Sequence, residues 1–194
     1  EKNIRFCTNC LACYRDLGSP MPRCPLSDDV RDIVLSIRAA DGLLLASPLR
    51  GGLPTALMFQ FLERALFLLA RPTGSAMGMQ GCPEPRQTEK TGVAATLVSA
   101  GCATTEFRPA CDMATPVLAW YASCFVNGLP IGDLYAAACF PRKMETADWS
   151  RAFLLRQLTD AQLQEAYDLG ARMARRIQAG NPPPYSSAFF NPPA

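Results

Sequence analysis

Cys7-Thr-Asn-Cys10-Leu-Ala-Cys13 is a CxxCxxC run, and a fourth cysteine follows in Cys24-Pro25. Three thiols separated by two residues each can face a common centre. Zinc sites usually pair two CxxC knuckles, whereas three closely spaced thiolates plus a remote Cys-Pro suit the irons of a cubane. The spacing therefore points to a [4Fe-4S] cluster on Cys7, Cys10, Cys13 and Cys24, with zinc or unliganded thiols as the alternatives. Gly18, Pro20 and Pro22 let the intervening segment turn back and deliver Cys24. The other five cysteines, Cys82, Cys102, Cys111, Cys124 and Cys139, are scattered and read as small hydrophobes. Cys102 stands apart because it follows the Ser99-Ala100-Gly101 turn.

Other chemistry is excluded by composition. The chain contains no histidine, which removes Ser-His-Asp and Cys-His nucleophiles, HExxH metal sites and imidazole proton shuttles. Lys+Arg number 19 against Asp+Glu 17, a formal charge of +2, so no basic stripe invites nucleic acid. No apolar run approaches the length of a membrane span and no leader pattern opens the sequence, so the expectation is a cytoplasmic protein with no membrane partner. Nine cysteines in 194 residues is an odd number in a chain long enough to hold its own core, so a disulfide scaffold is the weaker reading.

The elements that must position the cysteines alternate. Asn3 to Phe6 reads as the end of a strand, followed by the cysteine loop 7–25. A helix runs from Ser27 through Ile37, with Asp28 and Asp29 at its start and Val30, Ile33, Val34 and Ile37 at helical spacing. Leu43 to Ala46 is a short apolar run of the kind found in a parallel strand covered on both faces. Thr55 to Ala70 is a nearly apolar helix in which Glu63 and Arg64 read as a structural polar pair. Thr73 to Thr91 reads as a long loop, in which Met77 and Met79 suit a lid or an oligomer contact. Val93 to Val98 is a strand, Thr115 to Phe125 a helix with Pro116 at its first turn, Asp133 to Phe140 a strand, and Thr159 to Ala179 a closing helix. Residues 1–180 form one domain, and the Pro-rich tail 181–194 reads as a surface arm or disorder.

This alternation predicts an α/β fold, a parallel sheet with helices on both faces. Ligands in such sheets bind beyond the carboxyl ends of the strands. Two loops rich in small residues fall there: Ser47, Pro48, Leu49, Arg50, Gly51 and Gly52, and Ser99, Ala100 and Gly101. They are the candidate contacts for a flat cofactor.

The cysteines followed by Pro25-Leu-Ser-Asp28-Asp29, then Ala40-Asp41-Gly42-Leu-Leu-Leu-Ala-Ser47-Pro48 and Phe61-Leu-Glu-Arg64, resemble the flavodoxin-like NADPH-dependent FMN reductases, specifically the iron-sulfur flavoproteins. The resemblance implies a doubly wound flavodoxin-like sheet and an oxidoreductase. It also implies FMN flanked by the two small-residue loops, a [4Fe-4S] cluster on the four cysteines, NAD(P)H as electron donor, and dimers or tetramers. A redox partner protein or a small electron donor or acceptor would complete the reaction. The family's first strand and phosphate loop would precede residue 1, which predicts a slot in the sheet beside Leu43 to Ala46. The family segment between the third and fourth cysteines is shorter than Tyr14 to Arg23. Arg50 and Gly51 also replace an aromatic pair, so a partner chain is expected to supply the missing wall. Two alternatives stand beside this reading: an FMN reductase whose cysteine loop is empty or zinc-bound, and a flavodoxin-like interaction module without flavin.

Overall fold

The computed structural model describes residues 2–76, 78–101, 103–180 and 183–185. The elements run α1 (Ala12–Arg15), α2 (Val30–Ala39), β1 (Gly42–Pro48), α3 (Ala56–Leu69), β2 (Ala70–Ala76), β3 (Met79–Pro85), β4 (Val93–Ser99), α4 (Arg108–Cys111), α5 (Ala114–Val126), β5 (Pro130–Ala136), α6 (Ala152–Leu155) and α7 (Asp160–Ala179). Strands β1, β4 and β5 form a parallel three-stranded sheet in that order, and β2 and β3 form a separate antiparallel pair. The expected α/β class, parallel sheet and flanking helices are all present.

Two cores sandwich the sheet. On one face Leu45 of β1 and Ala94 and Val98 of β4 pack with Val30, Val34 and Ile37 of α2, Leu62, Ala65 and Leu68 of α3, and Leu118 and Phe125 of α5. The other face is smaller: Ala95 and Leu134 meet Leu169 of α7, with Leu97, Ile131, Ala166 and Met173 around them. Helix α7 begins with a reciprocal cap in which Thr159 Oγ1 accepts from the Gln162 amide and Gln162 Oε1 accepts from the Thr159 amide. None of the described helices is long and apolar enough to cross a membrane.

Several elements differ from the sequence reading. Residues 73–91 are not a loop throughout, because β2 and β3 pair over most of the first half. A two-stranded sheet has an unpaired side on every strand, so Pro72, Pro83 and Pro85 are tolerated where a central strand would reject them. The register also shifts around Gly74. The strand expected at Asp133 to Phe140 lies instead at Pro130–Ala136, with an extra residue opposite β4 near Ile131 and Gly132. Among the described residues it is an edge strand, as β1 is, and β4 is flanked on both sides.

Among the described residues strand β1 is well covered on one face, and on the other only its start, at Gly42, lies against Met173 and Ile177 of α7. Leu45 and Ser47 are buried, while Leu44 is 44% exposed and Ala46 and Pro48 are exposed with it. Among the described residues no strand pairs with its outer edge. Asn3 to Phe6 belongs to no sheet, and it makes no ladder with β1; side chains hold it instead, as described below. Beyond Gly180, residues 183–185 pack back on the domain: Trp120 Nε1 donates to the Tyr185 hydroxyl at 3.2 Å and the Leu129 amide to the Pro183 carbonyl at 3.3 Å. The remaining tail residues, Cys102 and Met77 lie outside the described residues.

Candidate metal and cofactor site

Helix α3 divides its faces sharply. Thr55 caps it, its hydroxyl accepting from the Met58 amide, and Leu62, Ala65, Leu68 and Leu69 turn into the core. The opposite side presents Phe59, Gln60, Glu63 and Phe67 to the cysteine loop. Between that face and the loop lies a cavity of about 670 Å³, and Cys7, Cys10, Cys13 and Cys24 all line it. Tyr14 closes part of the wall by standing edge-on to Phe67, with centroids 4.9 Å apart.

The start of the loop is tied down by side chains. The Asn3 amide donates to Asp29 Oδ2 at 2.6 Å and the Asp29 amide returns a bond to the Asn3 carbonyl. Gln60 Nε2 donates to the Ile4 carbonyl, and the Arg5 amide to Asp28 Oδ2 at 2.9 Å. The segment thus satisfies much of its backbone without a neighbouring strand. The far end is held by Arg86, which is 6% exposed and donates to the carbonyls of Cys13 (3.0 Å), Ser19 (2.8 Å), Phe67 (3.2 Å) and Ala70 (2.8 Å). Burial pushes the Arg86 guanidinium below its ordinary pKa.

Arg64 joins the loop to the core. Its fork grips Asp28, Nη1 to Oδ2 at 2.7 Å and Nη2 to Oδ1 at 3.1 Å, with side chains only 2% and 1% exposed. Nη1 also donates to the Arg5 carbonyl at 2.7 Å, and Nη2 reaches Cys24 Sγ at 3.4 Å. Burial alone would raise the Asp28 carboxyl, but the hydrogen bonds from Arg64 and from the Arg5 and Val30 amides hold it below the usual carboxylate range. Arg64 pairs with Asp28 rather than with Glu63, which corrects the expected Glu63–Arg64 pair.

The thiols themselves are reduced and separate. The eight described cysteines are free, with Cys10 exposed and the other three loop cysteines half-buried. Among the described residues no three Cys, Asp or Glu groups already stand at the spacing that would hold one ion. The donor chemistry nevertheless suits an iron-sulfur group: four thiols on one cavity, no imidazole, and donors already aimed at sulfur. The Asn9 amide points at Cys7 Sγ from 3.4 Å. Asn9 and Leu11 flank Cys10 with φ of 50° and 60°, a left-handed conformation that Asn tolerates and that is uncommon for Leu. Burial, then the nearby Cys24 sulfur, pushes the Cys13 thiol above its ordinary pKa, a cost that a bound cation would offset.

The candidate flavin loops meet at the carboxyl end of the sheet, where the Leu49 amide donates to the Ser99 carbonyl at 2.9 Å. Their polar groups are largely committed. Ser47 Oγ accepts from the Thr55 amide and donates to the Pro48 carbonyl. Arg50 and Leu53 exchange two backbone bonds around Gly51 and Gly52, whose φ of 58° and 84° make a tight turn of the kind only glycine readily forms. Gly52 then sits so close to α4 that a Cβ there would lie 2.8 Å from the Cys111 carbonyl oxygen. The ring of Phe153 packs on Gly101 and under the Arg50 guanidinium, 5.0 Å from centroid to Cζ, and so lies between the two loops. None of the nine loop residues lines the cysteine cavity.

Sequence reasoning missed Arg86, Phe59, Tyr121 and Phe153. Arg86 lies in a polar stretch that offers no signal, whereas Arg64, a guanidinium in a nearly apolar helix, gave one. Against known proteins the chain matches no family, no curated protein and no solved structure.

Proposed function

We propose that this chain is an electron-transfer oxidoreductase in which Cys7, Cys10, Cys13 and Cys24 hold one [4Fe-4S] cluster. The observation that carries the reading is that all four cysteines of the CxxCxxC…CP pattern line a single cavity, one of them hydrogen-bonded to a buried guanidinium. A bound cluster supplies one-electron chemistry. The chain's own residues do the rest. The four sulfurs would ligate, the Asn9 amide and Arg64 direct N–H groups at Cys7 and Cys24, Arg86 fixes the loop, and Phe59, Phe67, Tyr14 and Tyr121 form walls that limit water. In this reading β1, β4 and β5 are part of a flavodoxin-like doubly wound sheet.

FMN and NAD(P)H belong to the same reading through the sequence resemblance. Phe153 packs on Gly101 and beneath Arg50, between the two loops that the resemblance assigns to the flavin, so the electron-transfer assignment rests on the cluster. Anaerobic reconstitution with iron and sulfide tests it. Broad iron-sulfur absorbance that is lost in Cys10→Ser supports the proposal, and zinc at the four sulfurs in protein purified anaerobically refutes it.

A further inference from the structure

Arg64 makes a contact that neutralising Asp28 does not require. The two Nη groups carry four protons: two meet the Asp28 carboxylate, one the Arg5 carbonyl, and the fourth is aimed at Cys24 Sγ at 3.4 Å. Asp28 is in turn saturated, its oxygens also accepting from the Arg5 and Val30 amides. This orients the fork from several sides, so the guanidinium cannot turn away from the sulfur without breaking bonds inside the core. Cys24 is also the ligand that most needs such help. It is separated from the CxxCxxC run by the ten residues Tyr14 to Arg23, and loop geometry alone leaves it the most freedom.

We infer that Arg64 is a positioning residue that presents Cys24 as the fourth cluster ligand and, through its Nη2–H···Sγ bond, raises the cluster's reduction potential. The inference rests on the cluster reading above. A charge-assisted hydrogen bond to a ligand sulfur stabilises negative charge there, and the reduced cluster carries one electron more than the oxidised one, so the reduced state gains more. The donor side of the contact is buried, the Arg64 side chain being 2% exposed, which strengthens it relative to the same bond in water. Asp28 acts through Arg64 by holding the fork, as outer partners orient the ligands of other metal centres.

The test is a potentiometric titration of the anaerobically loaded full chain, followed by electron paramagnetic resonance. Arg64→Lys keeps a charge but loses the fork. The double variant Asp28→Leu with Arg64→Met removes both charges and so leaves no unpaired buried ion, the condition under which such replacements are tolerated. The two Arg64 variants are expected to lower the midpoint potential by the equivalent of at least tenfold in equilibrium constant, about 59 mV for one electron. A folded Arg64 variant that carries a three-iron cluster also supports the positioning role. A fully loaded double variant at the wild-type potential overturns the inference while leaving the cluster intact. Wild-type protein that takes up no iron overturns the cluster reading, and this inference with it.

Discussion

Arg86 donates to the Cys13 carbonyl across 73 positions of sequence. Its other bonds reach Ser19 in the same loop and the last turn of α3, so a residue just beyond β3 fixes the seat of the cysteines. Replacing it leaves four carbonyls without their donor. Arg86→Met is expected to destabilise the protein by about 3 kcal/mol, given 1.5–3 kcal/mol for hydrogen bonds to charged groups and partial relaxation of the loop. Urea unfolding with an unchanged slope and a lower midpoint would show it; a midpoint equal to wild type would contradict it.

Asp28 predicts the acid limb of stability. Its folded carboxyl titrates below the unfolded value, so its contribution is fully present above about pH 4 and is lost as pH falls through the folded value. At neutral pH Asp28→Asn should cost about 3–5 kcal/mol, because Arg64 is left as an unpaired buried charge. The gap between wild type and variant should narrow as the pH drops below about 4. A gap that stays constant down to pH 2 would show that the pair carries no pH-dependent stability.

The cysteines should differ in reactivity. Cys124 is buried in α5, and burial pushes its thiol up to about 12, whereas Cys10 is exposed. Iodoacetamide at pH 8 followed by peptide mapping should label Cys10 in the native metal-free protein and leave Cys124 unmodified until denaturant is added. Loading with iron and sulfide should protect Cys7, Cys10, Cys13 and Cys24 together, and removing the metal with a chelator should expose them again. Protection of three without Cys24 would break the assignment of the fourth ligand.

Phe153 governs the other candidate site. Its ring lies on Gly101 and against Arg50, where the sequence resemblance expects a flavin. Phe153→Ala should therefore bind added FMN more tightly than wild type, read by quenching of flavin fluorescence. Equal affinity in the two proteins would move any flavin away from the Ser47–Gly52 and Ser99–Gly101 loops.

What could be read in advance follows from the range of each interaction. Leu43 to Ala46 and Val93 to Val98 are apolar runs whose neighbours are local stop signals, so β1 and β4 fall where expected. The helical spacing of Val30, Val34 and Ile37 likewise places α2. That β1 leaves Leu44 half exposed could not be read, because an apolar run looks the same whether one side is well covered or both. The β2–β3 pair was hidden by Pro72, Gly74, Gly81 and Pro83, which read as loop unless both strands are known to be edges. At the site, the four cysteines and their convergence on one cavity were legible from spacing. Arg64–Asp28 and Arg86–Cys13 were not, since they join residues 36 and 73 positions apart and leave no periodic trace. The Phe153 contact depends on the path of the chain after β5, which no local pattern encodes.

The cluster assignment is tested most directly by iron and acid-labile sulfide analysis with Mössbauer spectroscopy of protein purified anaerobically from cells grown on enriched iron. The account predicts iron and sulfide in the proportion of one [4Fe-4S] cubane per chain, reduced to a three-iron centre or lost in Cys24→Ser and abolished in Cys10→Ser. Wild-type protein that carries stoichiometric zinc, or no metal, at Cys7, Cys10, Cys13 and Cys24 would contradict it.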